Sequence, residues 1–257
     1  MARLGQNFLA DPNLLAAIVR SAGLAGDEIV LEVGGGEGVL TERLAERAAR
    51  VQLIELDRKL APLLEPLAER AGNVEIVWGD AMRVDLGGLD PAPVAMVANL
   101  PYSIATPLIL RTIAELPSLE RWTLMVQREI ADRLRASAGT KLYGSPSVVC
   151  RLACEVEFLR PVGRSVFNPR PRVDSALIAL RRTARGATPG LVRIVRGAFA
   201  HRRKTLAGSL ELAGVAQRER SRGALRELGL DPASRAEALE PEAFAELGRL
   251  LGSGVSS

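Results

Sequence analysis

Five short runs of β-branched and aliphatic residues alternate with segments whose apolar residues recur at helical spacing. The runs are IVLEV (29–33), VQLIEL (51–56), VEIVW (74–78), VAMVA (94–98) and WTLMVQ (122–127). A strand that is apolar almost throughout has no polar side to offer water, so both faces of its sheet must be covered. Alternating such strands with amphipathic helices meets that demand as a parallel sheet with a helical layer on each side. Two later runs, SVVCRLACEVEFL (147–159) and SALIALRR (175–182), are separated by a Pro-rich loop instead of a helix. They are expected to close the sheet edge as an antiparallel hairpin, which makes an α/β fold with a seven-stranded, doubly wound sheet.

The pattern changes near Thr183. RGATPG (185–190) has linker composition, and the Ala/Leu/Arg/Glu-rich remainder carries Leu225, Leu228, Leu239, Phe244, Leu247 and Leu250 at helical intervals. The chain of 257 residues is therefore expected to divide into a sheet domain over 1–183, an all-helical domain over 184–251 and a disordered tail over 252–257. No apolar run approaches the ~18 residues that a membrane helix needs. The N-terminal MARLGQNFLADPN lacks the apolar centre of a secretory signal, so a cytoplasmic protein is expected.

Cys150 and Cys154 stand in an apolar run and are expected to be buried thiols. With a single histidine, His201, the chain cannot assemble a zinc ligand set from them, and no metal site is expected. Charge is unevenly spread. Arg181–Arg226 holds twelve Arg or Lys against Glu211 and Glu219, a balance of +10 that leaves the rest of a +4 chain at −6. Either this is a solvated helical surface or it faces a phosphate-rich partner.

Each of the first four strands ends in a group able to hold a ligand. EVGGGEGVLTERL (32–44) places glycines at 34, 36 and 38, which permit a tight turn and close approach to the following helix N-terminus. A dinucleotide fingerprint would put glycine at 39, where Val stands. The spacing of Gly34, Gly36 and Gly38 is instead usual in loops that bind S-adenosyl-L-methionine, and a simple tight strand-to-helix turn is the bland alternative. Glu55, ending the second strand, is placed to accept ribose hydroxyls in either kind of cofactor, or it is only a surface acid at a strand end with Asp57 capping the next helix. Asp80, ending the third strand, offers an acceptor for an adenine amino group, with Ala81 and Met82 against the ring. Such a row lies at the carboxyl edge of the sheet, where ligands of open α/β folds bind.

The fourth strand runs into NLPY (99–102), and only two tyrosines occur in the chain. An exocyclic amine on a nucleobase is a poor nucleophile because its lone pair is delocalised into the ring. The Asn99 side-chain oxygen and the Leu100 carbonyl can accept its hydrogens and favour a pyramidal nitrogen, and Pro101 stiffens the backbone that carries them. Tyr102 offers a face on which an everted base can stack. The bland alternative is a Pro-stabilised turn with a half-buried tyrosine.

With these motifs in order, the sequence resembles the KsgA/RsmA family of ribosomal RNA adenine N6,N6-dimethyltransferases. GQNFL (5–9), EVGGGEG, IELD, GDAM, NLPY, VFNPRPRVDSALIAL (166–180) and FAHRRKTLAGSL (199–210) follow one another at family spacing. The resemblance implies a Rossmann-like class I S-adenosyl-L-methionine-dependent methyltransferase with a helical C-terminal rRNA-binding domain. It implies that Asn7 and Leu9 reach the cofactor, together with Gly34, Gly36, Glu55, Asp80, Ala81 and Asn99. Phe167 would supply a second aromatic wall for the target adenine beside Asn99, Leu100, Pro101 and Tyr102. Arg202, Arg203 and Lys204 at a basic helix start, with Arg170 and Arg172, would hold rRNA. The implied reaction dimethylates two adjacent adenosines in the 3′-terminal hairpin loop of 16S rRNA in the immature small ribosomal subunit, and a monomer is expected. The chain departs from the family at Gly35, where proline is usual. Three other readings use some of the same residues: an erythromycin-resistance-type 23S rRNA adenine methyltransferase, a non-catalytic ribosome-assembly factor, and an NAD-dependent oxidoreductase. The last leaves NLPY and the basic segment unexplained.

Overall fold

The computed structural model describes residues 8–9, 11–183 and 186–252. Seven strands form one sheet: β1 (Ile29–Val33), β2 (Arg50–Glu55), β3 (Val74–Trp78), β4 (Ala95–Asn99), β5 (Arg121–Gln127), β6 (Cys154–Val162) and β7 (Ser175–Arg182), in the spatial order β3-β2-β1-β4-β5-β7-β6. The first five pair in parallel and β7 runs antiparallel to β5, with Gln127 opposite Ser175. The strand order reverses between β1 and β4, so their carboxyl ends open a crevice at the centre of the sheet. A separate two-stranded ribbon pairs Phe8–Leu9 with Phe167–Asn168.

Local chemistry sets the elements. Helix α1 (Pro12–Ala22) starts where the Asp11 carboxylate accepts from the Asn13 and Leu14 N–H groups, has proline in its first turn, and stops at Gly23 in the left-handed region. Its Leu14, Leu15, Ile18 and Ala22 join Val30, Val51, Ala95 and Val97 in one buried cluster. Helix α2 (Val39–Ala45) begins at Gly38, whose φ of 85° suits glycine and whose absent Cβ would stand 2.7 Å from Leu67 of α3 (Ala61–Ala71). Helix α4 (Ala105–Glu115) leaves the NLPY turn, and α5 (Arg128–Leu134) follows β5.

The chain folds as two compact units. One contains Ala131 and the described residues before it together with Val156–Arg182, and the other contains Asp132–Glu155 and the chain from Thr183 onward. The expected boundary at 183 therefore accounts for one of three crossings. Residues 147–153, expected to begin an edge strand, are instead the body of α6 (Ser145–Ala153), and only Cys154–Val162 continues as β6. Helix α6 packs with α7 (Pro189–Ala200) and α10 (Pro241–Gly252), while α8 (Leu206–Leu212) bridges α7 and α9 (Arg218–Glu227). Inside this helical unit the Phe199 ring stacks on Phe244 at 5.7 Å and meets the Tyr143 ring edge-on at 5.8 Å, and the Tyr143 hydroxyl donates to the Leu239 carbonyl. Cys150 and Cys154 are buried free thiols. Among the described residues no helix is long and apolar enough to cross a membrane, and no His, Cys, Asp and Glu groups are arranged to hold a metal. The expected tail lies outside the described residues beyond Gly252.

Candidate active site

The ends of β1, β2, β3 and β4 surround a single cavity of about 250 Å³, far more than the ~10–15 Å³ that one water needs. Its walls include Leu9, Glu32, Gly34, Gly36, Glu55, Asp80, Ala81, Met82, Asn99, Leu100, Pro101 and Tyr102. The structure thus assembles the predicted cofactor row and the NLPY turn in one place. The join is direct. A Cβ on Gly34 (φ 80°) would lie 3.5 Å from the Pro101 ring and 4.0 Å from the Asn99 carbonyl oxygen.

Glu55 is not the surface acid its position at a strand end allowed. It is 4% exposed, and its two carboxylate oxygens accept from the Gly36 N–H at 3.2 Å and the Asp57 N–H at 2.8 Å. These bonds hold the group against the glycine loop with lone pairs left for further donors. Asp57 separately caps the short turn Arg58–Leu60 through the Lys59 N–H. Asp80 accepts from the Met82 N–H at 2.9 Å, which fixes the bend that presents Ala81 to the cavity. The Leu100 N–H is held by the Met125 carbonyl at 3.1 Å, and the Pro101 carbonyl accepts from the Ile104 N–H at 3.1 Å, so the middle of the tetrapeptide is pinned on both sides.

Sequence reasoning passed over two groups, Glu32 in the wall and Ser175 behind it. Glu32 is fully buried at the end of β1, and its Oε2 has no hydrogen-bond partner. Burial, reinforced by the negative charge of Glu55 and opposed by the Thr41 hydroxyl, raises its carboxyl pKa to about 8. The available signal was an acid inside an otherwise apolar strand. Ser175, 1% exposed at the start of β7, shares a hydrogen bond of 2.6 Å with the Tyr102 hydroxyl. Its signal was weaker, since a polar residue opening a strand is ordinary.

Phe167 is not brought to the cavity. Its pairing with Leu9 in the small ribbon turns it into the core cluster, where it is 3% exposed, and Leu9 alone of the pair lines the cavity. Asn7 lies outside the described residues. Arg170 and Arg172 are exposed in the sheet unit. Arg202, Arg203 and Lys204 are exposed in the helical unit, on the turn between α7 and α8 and not at a helix start, because α8 begins only where Thr205 caps it. Arg202 there contacts Glu237 at 3.2 Å.

The chain was compared with known proteins. Residues 1–251 match the family model described as ribosomal RNA adenine dimethylase. A ribosomal RNA small subunit methyltransferase A of Rubrobacter xylanophilus is 45% identical over 97% of this chain and 94% of its own. Among solved structures, a dimethyladenosine transferase from Plasmodium falciparum superposes with a TM-score of 0.77 at 27% identity, covering 93% of this chain and 95% of that one. The 23S rRNA methyltransferase ErmE superposes with a TM-score of 0.67 at 32% identity, covering 96% of this chain and all of its own.

Proposed function

This chain belongs to the ribosomal RNA adenine dimethylase family, and on that premise we propose that it methylates adenosine N6 in small-subunit ribosomal RNA with S-adenosyl-L-methionine as donor. The finer substrate is a pair of adjacent adenosines in the 3′-terminal hairpin loop of 16S rRNA, each converted to N6,N6-dimethyladenosine during subunit assembly. A loop suits the reaction because unstacking a base there costs less than in a duplex.

The observation that carries this reading is that one cavity is lined by both the cofactor row and the acceptor turn, with Pro101 within reach of a Cβ placed on Gly34. The residues present fit a cationic donor. Glu55 and Asp80 line the wall as acceptors, Glu32 adds a buried carboxyl oxygen without a partner, and glycines 34 to 36 place no side chain in the way. Leu9, Gly34, Gly36, Glu55, Asp80 and Ala81 would hold the donor, which when bound supplies a sulfonium-activated methyl group.

On this reading the chain's own work is alignment. The Asn99 side-chain oxygen and the Leu100 carbonyl accept the amine hydrogens, so the nitrogen lone pair is released from the ring. Pro101 keeps those acceptors in register, and Tyr102 stacks on the everted base, a contact worth roughly 1–3 kcal/mol. No strong base is needed, since the N–H acidifies as the nitrogen is alkylated. Phe167 backs Leu9 from the core in place of the wall expected for it. The exposed Arg170, Arg172, Arg202, Arg203 and Lys204 meet phosphates.

The likeness to ErmE supports a second target, large-subunit rRNA. Transfer of tritiated methyl groups to undermethylated small subunits and to large subunits, with the labelled bases mapped, decides between them. Label confined to adjacent adenosines of 16S rRNA is the expected result, and label on 23S rRNA overturns it.

A further inference from the structure

We infer that Ser175 is a positioning residue for methyl transfer, holding the Tyr102 ring in the place where the target adenine stacks against it. The inference rests on the function proposed above. Tyr102 is half-buried on the turn after β4, lines the cavity, and carries a single side-chain polar atom at its far end. That atom is bonded at 2.6 Å to Ser175, which is 1% exposed on a different strand. Ser175 itself cannot drift. It opposes Gln127 in the antiparallel β5–β7 ladder, and the neighbouring Asp174 carbonyl accepts from the Arg128 N–H at 2.9 Å.

A tyrosine ring on a turn has two soft torsions, and stacking energy depends on the plane it presents. Backbone bonds pin the turn but leave those torsions open. The hydroxyl bond restrains the first, because a phenol oxygen tied to a fixed point stops the ring from swinging about χ1. The oxygen lies on the χ2 axis, so the ring plane is only biased, through the preference of the phenolic O–H for the plane of its ring. Its geometry is also local to base capture. Ser175 is absent from the cavity wall, which the glycine loop and the acids that would hold the donor line. Loss of the bond should therefore act on the RNA side of the reaction only.

The experiment is a double-mutant cycle on full-length protein with undermethylated small subunits, using Ser175→Ala, Tyr102→Phe and the pair. Removing one such bond is expected to raise the KM for subunits roughly 3- to 10-fold. Donor affinity should be unchanged and kcat much less affected. The double variant should be no worse than either single one, and Ser175→Thr, which keeps the hydroxyl, should restore most of the loss. Additive losses, or a wild-type KM in Ser175→Ala while Tyr102→Ala raises it, overturn the inference. Should Tyr102→Ala also leave KM unchanged, the proposed stacking on Tyr102 fails instead. Tyr102→Phe removes the same bond from the partly exposed side, so instability of the buried serine variant leaves the question answerable.

Discussion

Asn99 and Glu32 are both polar residues at the ends of apolar strands, yet the physics asks different things of them. Asn99 must accept a hydrogen from an amine only while that amine reacts. Asn99→Ala is expected to lower kcat by about 10²- to 10³-fold, the usual cost of one preorganised hydrogen-bond partner, while equilibrium binding of the donor stays within a few-fold. Glu32 holds its proton in the fold to a pH of about 8, against an ordinary carboxyl value of 4.5. Between those values the folded state binds more protons than the unfolded one, so stability falls as pH rises through the window and levels off above it. Denaturation of donor-free protein at pH 5, 6.5 and 8 should show Glu32→Gln matching wild type at the acid end and gaining on it steadily toward pH 8. Phe167 is a third case. As a core residue beside Leu9, its replacement by alanine should cost about 3–5 kcal/mol of stability by chemical denaturation. A loss of RNA affinity with stability intact would return it to the role of an aromatic wall.

At the scale of elements, the site depends on how the loop after β3 is tied down. Arg111 on α4 donates to the carbonyls of Ala81 at 2.6 Å and Val84 at 2.7 Å, and pairs with Glu115 on its own helix at 2.8 Å. One guanidinium therefore links the helix that follows NLPY to the bend that presents Ala81. Its side chain is only 15% exposed, so these are partly desolvated, charge-assisted bonds. Arg111→Ala should cost about 2–4 kcal/mol in denaturant unfolding and raise the donor Kd several-fold by calorimetry. A stability loss without any change in donor affinity would make the tie purely structural. Arg111→Lys should recover little, because an ammonium cannot span two carbonyls with the planar fork of a guanidinium.

For the whole molecule, the charge asymmetry sets the expectation. The +10 segment contains the exposed turn Arg202–Lys204, whereas the cavity wall is acidic. RNA held through phosphates releases counterions, so its affinity should fall by orders of magnitude between ~50 and ~200 mM salt. The donor, bound inside a largely buried cavity, should respond little. Filter binding and calorimetry across that range measure both slopes, and equal slopes would contradict the division of labour.

The alternation of apolar strands with amphipathic helices determined the α/β class, the order of motifs along one sheet edge, and most of the residues that share the cavity. Those features are local, since period, turn glycines and caps are written in contiguous residues. The helix at Ser145–Ala153 was not legible in that way. The apolar residues of SPSVVCRLA suit strand or helix equally, and packing against α7 and α10 goes with helix. Nor could local pattern show that Phe167 turns into the core, that Glu32 is stranded without a partner, or that Ser175 reaches Tyr102 across 73 positions. Such facts depend on which strands become neighbours and on where water is excluded, and both come into being only when distant segments pack together.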